Sequence, residues 1–155
     1  MSTAATDKKV IAITGASSGI GKETAKQLVN NGFNVALLAR SEDKLRALVE
    51  ELGNDVAFAV KADVSDFKDV DTAFKKVSEH FGRIYGIFAN AGRGAKAAGI
   101  EKGDVDDWDG MLGANVNGLL YTAKAGLPYL RDTQGHFIIT SSVAGRIALK
   151  GSVYR

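Results

Sequence analysis

Cysteine is absent from the 155 residues. That excludes a disulfide framework, thiolate zinc, iron–sulfur clusters and a cysteine nucleophile. Proline occurs once, as Pro128, so no Pro-rich linker divides the chain. His80 and His136 are the only histidines; they stand far apart and offer no metal-ligand spacing. Neither charge dominates: 20 Lys and Arg against 18 Asp and Glu leave a net charge of +2. The longest basic runs are Lys8-Lys9 and Lys75-Lys76, which gives no electrostatic case for nucleic acid. No apolar run approaches the roughly 18 residues of a membrane span. The polar stretch from Met1 to Lys9 lacks the apolar core of a signal peptide, so the expectation is a cytoplasmic protein.

What is present suits one globular domain. Apolar residues make up 45% and charged residues 25%, which argues against wholesale disorder. A chain of this length buries roughly 68–70% of its unfolded surface and needs no staple to form a core.

Short apolar runs alternate with amphipathic segments. Val10 to Thr14 is a continuous, largely β-branched run, as expected for a strand covered on both faces. A glycine-rich turn leads into a helix from about Ile20 to Asn31, where Gly32 supplies a left-handed cap. Asn34 to Ala39 is the second strand. Ser41 is expected to cap a second helix with its apolar stripe at Leu45, Leu48, Val49 and Leu52. Val56 to Val60 is the third strand. Ser65 is expected to cap a third helix carrying Phe67, Val70, Phe74, Val77 and Phe81 on one face. Ile84 to Ala89 is the fourth strand, and Gly92 to Gly103 is loose. One long helix is expected from about Asp104 to Leu130, with Pro128 kinking its last turn. His136 to Thr140 is the fifth strand. Asp104, Asp106, Asp107 and Asp109 read as an acidic helix start rather than a metal site.

This βαβαβαβαβ order predicts an α/β fold with a doubly wound parallel sheet and right-handed crossovers. Ligands of such sheets bind beyond the carboxyl ends of the strands, so chemistry is sought there. After the first strand comes Thr14-Gly15-Ala16-Ser17-Ser18-Gly19-Ile20-Gly21. Its glycines permit a tight turn and close approach of a pyrophosphate to a helix N-terminus. Such a pattern is weak alone, but here it lies between a strand and a helix, as a dinucleotide site requires. After the second strand, Arg40 stands where an NAD site carries an acid; a guanidinium suits a 2′-phosphate, so NADP is preferred to NAD. After the third, Asp63-Val64 can cover an adenine edge, although an Asp before a helix is commonly a cap or turn residue. After the fourth, Asn90-Ala91-Gly92 makes a small turn that lets a ligand come close.

These segments occur in order with Asn115-Val116-Asn117-Gly118, Ser141-Ser142 and Tyr154. Together they resemble the motif series of the short-chain dehydrogenase/reductase family, over nearly the whole chain from Lys9. The resemblance implies a Rossmann-type sheet and hydride transfer between a nicotinamide cofactor and a small-molecule carbonyl or alcohol. It implies Tyr154 as general acid/base, Ser142 as the hydroxyl that steadies the substrate oxygen, and Asn115 as holder of a proton-relay water. It implies cofactor contacts from Thr14, Gly15, Ser17, Ser18, Gly19, Ile20, Gly21, Arg40, Asp63, Val64, Asn90, Ala91 and Gly92. Such chemistry needs a donor at the developing oxyanion and a proton source. A free tyrosine, with a pKa of about 10, needs help to act near neutrality. In the family, a lysine four residues after the tyrosine gives that help, together with the cofactor's charge.

The sequence departs from the family pattern in carrying no such lysine, since Arg155 is its last residue. Ala89 replaces a second asparagine that many members have, and Ser18 is not basic, which leaves Arg40 as the one mark for NADP. The expectation is a single NAD(P)-binding domain over residues 1–155, truncated at its C-terminus, that binds cofactor weakly and turns over slowly or not at all. The fifth strand is then expected to be an open edge. The full-length form is expected to be a homo-oligomer, without nucleic-acid or membrane partners. A non-catalytic dinucleotide-binding module is the alternative.

Overall fold

The computed structural model describes residues 8–96 and 98–147. Five parallel strands form one sheet: β1 (Val10–Thr14), β2 (Asn34–Ala39), β3 (Ala57–Lys61), β4 (Ile84–Ala89) and β5 (His136–Ile139). Their order across the sheet is β3-β2-β1-β4-β5. Succession therefore runs outward from β1 to β3, returns to the other side of β1, and runs outward again. The reversal lies between β1 and β4, where a doubly wound sheet opens its crevice.

The helices are α1 (Gly19–Asn30), α2 (Glu42–Leu52), α3 (Phe67–Phe81), α4 (Val105–Leu112) and α5 (Gly118–Thr133). The period-2 alternation of β2 sorts its side chains into two layers. Val35, Leu37 and Ala39 pack with Ala25 of α1 and Leu45, Leu48 and Val49 of α2. Ala36 and Leu38 belong to the opposite layer, with Val70, Phe74 and Val77 of α3 and Ala125 and Leu130 of α5. All six residues of β2 are buried. At roughly 1.5–3 kcal/mol for each fully buried large aliphatic side chain, these two layers supply the main drive to fold.

Both sheet edges are visible. Among the described residues β5 pairs with β4 alone, and Ile138 and Ile139 are 58% and 49% exposed. No helix among the described residues is long and apolar enough to cross a membrane.

Several local expectations need correction. The cap of α3 is Asp66, not Ser65: its carboxylate accepts from the N–H groups of Lys68 and Asp69 at 2.7 and 3.4 Å. Ser65 instead donates to Asp63, through its hydroxyl and its backbone N–H. Ser41 stands at the N-cap of α2, yet its side chain makes no capping bond among the described residues. The single long helix from Asp104 to Leu130 is two helices joined by a π turn at Gly113–Asn117. Asp104 caps α4 by accepting from Asp106 N–H at 3.0 Å. Helix α5 carries Pro128 inside it and runs on to Thr133. Trp108 is half-buried, packed so closely on Gly103 that no side chain would fit there.

Candidate functional site

The carboxyl ends of the strands border a cleft of about 580 Å³. One wall is the turn between β1 and α1. Gly15 and Gly19 adopt φ of +68° and +53°, a left-handed conformation that favours glycine. A Cβ on Gly15 would lie 2.9 Å from Ala91 Cα, so the turn also nests against the segment after β4. Gly21 is needed for space rather than for φ. A Cβ there would strike the Gly15 carbonyl oxygen and lie 2.8 Å from Asn90 Nδ2.

The turn delivers the start of α1 to the cleft. The first N–H groups of a helix lack intrahelical partners and carry the positive end of its dipole. Ser18, the N-cap residue, makes no side-chain capping bond among the described residues. The first turn of α1 holds no acid, whereas α2, α3 and α4 each carry one or two there. Of the described α-helices that start on a loop, α1 alone leaves that positive end without an acid of its own; α5, also acid-free there, continues directly from the π turn.

The opposite wall follows β4 and is built by side chains. Thr14, 1% exposed, turns its Oγ1 to accept from the N–H groups of Asn90 and Ala91 at 3.1 and 3.0 Å. Asn90 Nδ2 donates to the Thr14 carbonyl at 3.2 Å, and its Oδ1 accepts from the Thr140 hydroxyl at 3.0 Å. One amide side chain therefore ties together the ends of β1, β4 and β5. Asn115, at the middle of the π turn, accepts from Arg93 N–H and donates to the Arg93 carbonyl, both at 2.9 Å. Interruptions of this kind in an α-helix recur at functional positions.

Between the walls stand Arg40, exposed just past β2, and Asp63, half-buried just past β3. Partial burial pushes the Asp63 carboxyl upward. The Ser65 hydroxyl and N–H bonds, with the nearby Arg40 charge, outweigh this and hold it below its ordinary value.

The sequence model of the short chain dehydrogenase family matches residues 9–154. This chain belongs to that family. As a short chain dehydrogenase it resembles an uncharacterized oxidoreductase of Staphylococcus saprophyticus, 39% identical over 145 residues, which cover 93% of this chain and 58% of that protein. Among solved structures, the alcohol dehydrogenase of the archaeon Thermococcus sibiricus, complexed with 5-hydroxy-NADP, superposes with a TM-score of 0.87. It is 36% identical, over 94% of this chain and 63% of that one. The 3-ketoacyl-(acyl-carrier-protein) reductase of Brucella melitensis, complexed with NADH, gives 0.84 at 31% identity, over 89% and 59%. The chain thus spans about three fifths of the length of these relatives.

The residues singled out from the short chain dehydrogenase motifs fall into three groups. Gly15, Ser17, Ser18, Ile20, Arg40, Asp63, Val64, Asn90, Ala91 and Gly92 line the cleft. Thr14, Gly19 and Gly21 shape its walls from behind. Asn115 and Ser142 stand apart from the lining: Asn115 braces the Arg93 backbone, and Ser142 opens an exposed 3-10 turn at Val143–Gly145, where its Oγ accepts from Ala144 N–H at 3.1 Å. Tyr154 lies outside the described residues. Residues outside that set also line the cleft, among them Arg93, Gly110, Ala114 and Thr140. Thr140 ends an apolar strand run, so position alone could have flagged it; the other three carry no sequence signal that separates them from loop and helix residues.

Proposed function

We propose that this chain binds NADP and forms the cofactor-binding part of an oxidoreductase that moves a hydride to or from a small-molecule carbonyl or alcohol. The observation that carries this reading is the meeting, in one cleft, of the acid-free start of α1, the tight glycine turn that delivers it, and Arg40. The turn and helix start suit a pyrophosphate. The guanidinium suits a 2′-phosphate. Relatives complexed with 5-hydroxy-NADP and with NADH support a dinucleotide without choosing between the two forms; the choice rests on Arg40. Bound there, the dinucleotide supplies the hydride donor or acceptor.

The remaining work falls to this chain. A carbonyl under reduction becomes an oxyanion that needs a hydrogen-bond donor and then a proton. Ser142 Oγ accepts the Ala144 N–H bond and still has its own O–H to donate to that oxygen. Tyr154 is proposed as the proton source. Asn115 uses one lone pair and one N–H on Arg93, which leaves one of each for the relay water implied by the family. Exposed Leu120 and Leu127 of α5, with exposed Val116 in the π turn before it, support a homo-oligomer.

Calorimetric titration with NADPH and NADH tests the reading. The parent is expected to prefer NADPH, and Arg40→Ala to lose that preference by about tenfold to a hundredfold, as for a charged hydrogen bond. An unchanged NADPH-to-NADH ratio would falsify the role of Arg40. Failure to bind either dinucleotide overturns the cofactor reading. Binding without turnover of any carbonyl in a broad panel favours the non-catalytic module.

A further inference from the structure

The segment from Asn90 to Lys96 has no regular secondary structure, yet it forms a wall of the cleft. Segments of this kind usually hold little fixed shape of their own. Here it is tied at several points to one helix. The Arg93 guanidinium pairs with Asp107 Oδ1. The other carboxylate oxygen, Oδ2, accepts from Lys96 N–H at 2.6 Å. The Asp107 side chain is only 9% exposed, whereas that of Arg93 is 39% exposed. The guanidinium reaches Asp107 across Gly110: a Cβ on Gly110 would lie 2.6 Å from an Arg93 terminal nitrogen. From the other side, Asn115 holds the Arg93 backbone at both its N–H and its carbonyl.

We propose that Asp107 is a positioning residue for the dinucleotide cleft. Its two oxygens act as one anchor, which docks the Arg93 side chain and the Lys96 backbone onto α4 and so presets the wall from Asn90 to Lys96. This rests on the cofactor reading above. Arg93, although it lines the cleft, is then a fastening and not an anion ligand, because a nearly buried carboxylate already meets its charge. Presetting matters because a wall ordered before binding adds no ordering cost at the moment of binding. The bare acid run Asp104, Asp106, Asp107, Asp109 concealed this division of labour: Asp104 caps the helix, and Asp107 faces the loop.

The test compares the parent, Asp107→Ala and Arg93→Gln. Asp107→Ala removes the anchor. Arg93→Gln releases the guanidinium while leaving Asp107 to accept Lys96 N–H. Three quantities are read: NADPH affinity, urea midpoint, and amide hydrogen exchange resolved by residue. In Asp107→Ala the amides of Arg93 and Lys96 are expected to exchange about tenfold faster or more, while those of β1 and β2 hold. NADPH affinity is expected to fall about tenfold. In Arg93→Gln the Arg93-side loosening appears with Lys96 protection kept.

Unchanged exchange and unchanged affinity in folded Asp107→Ala overturn the proposal. A uniform rise in exchange across the sheet makes Asp107 merely structural and overturns it too. Should Asp107→Ala fail to fold, Arg93→Gln decides: a midpoint like the parent's with faster exchange confined to the 90–96 wall supports the anchor, and parent-like exchange overturns it. Should the parent bind no NADPH, the cofactor reading fails and the exchange data alone decide whether the anchor exists.

Discussion

The two walls of the cleft reach rigidity by opposite means. The wall after β1 is shaped by backbone conformation: Gly15 and Gly19 take left-handed φ, and Gly21 leaves room for the Gly15 carbonyl. The wall after β4 is shaped by side chains that arrive from elsewhere in the chain. Thr14 reaches it from 76 residues away in sequence, Asn115 from 22, and Asp107 from 14. A wall made of glycines is specified within eight consecutive residues. A laced wall exists only once the sheet and two helices are in place.

This contrast predicts different failures. Gly21→Ala should have the largest effect, because the new methyl meets backbone on one side and Asn90 on the other. Relief requires both walls to part. Overpacking of this kind costs about 3 kcal/mol, and NADPH binding should vanish with it. Urea unfolding and a thermal-shift titration read the two effects. A folded variant that binds NADPH like the parent would show that the glycine wall is not set by close packing.

Thr14→Val keeps the shape and removes the acceptor shared by Asn90 and Ala91 N–H. Leaving such donors unpaired should cost about 2 kcal/mol. The loss should concentrate in the laced wall, seen as faster exchange at Asn90 and Ala91 with little change at α1. If α1 loosens equally, the walls are not independent.

The smallest effect should come from Asp63, between the walls. Its carboxyl is held below the ordinary 3.8, so its ionised form stabilises the fold. That contribution is complete above pH 3.8 and is lost as pH falls through the lower folded value. Urea midpoints of the parent and Asp63→Asn, measured from neutral pH downward, should therefore converge below that point. Parallel curves throughout would mean that Asp63 titrates alike in the folded and unfolded chain.

The same contrast explains what could be read from the sequence. All five strands and the glycine turn were legible because each depends on local periodicity or on a residue type demanded by one backbone conformation. The extent of β3 and β5 shifted by one residue, which is ordinary uncertainty at element ends. Asp66 displaced Ser65 as a cap because Asp63 captures the Ser65 hydroxyl, a competition between neighbours that residue type does not resolve. Asn115 was singled out through the family motif, but its bracing of the Arg93 backbone was not. That bracing appears only when the π turn presents Asn115 to Arg93. Arg93 and Asp107 each resemble solvated surface charge until the loop closes over Gly110.

Strand β2 has a further consequence. Val35, Leu37 and Ala39 belong to one apolar layer and Ala36 and Leu38 to the other, so neither layer can melt without exposing the strand that the other needs. The two halves of the core are thereby coupled into one cooperative unit. Arg40 emerges from the end of that shared strand, so its starting point is fixed by an element that both layers hold.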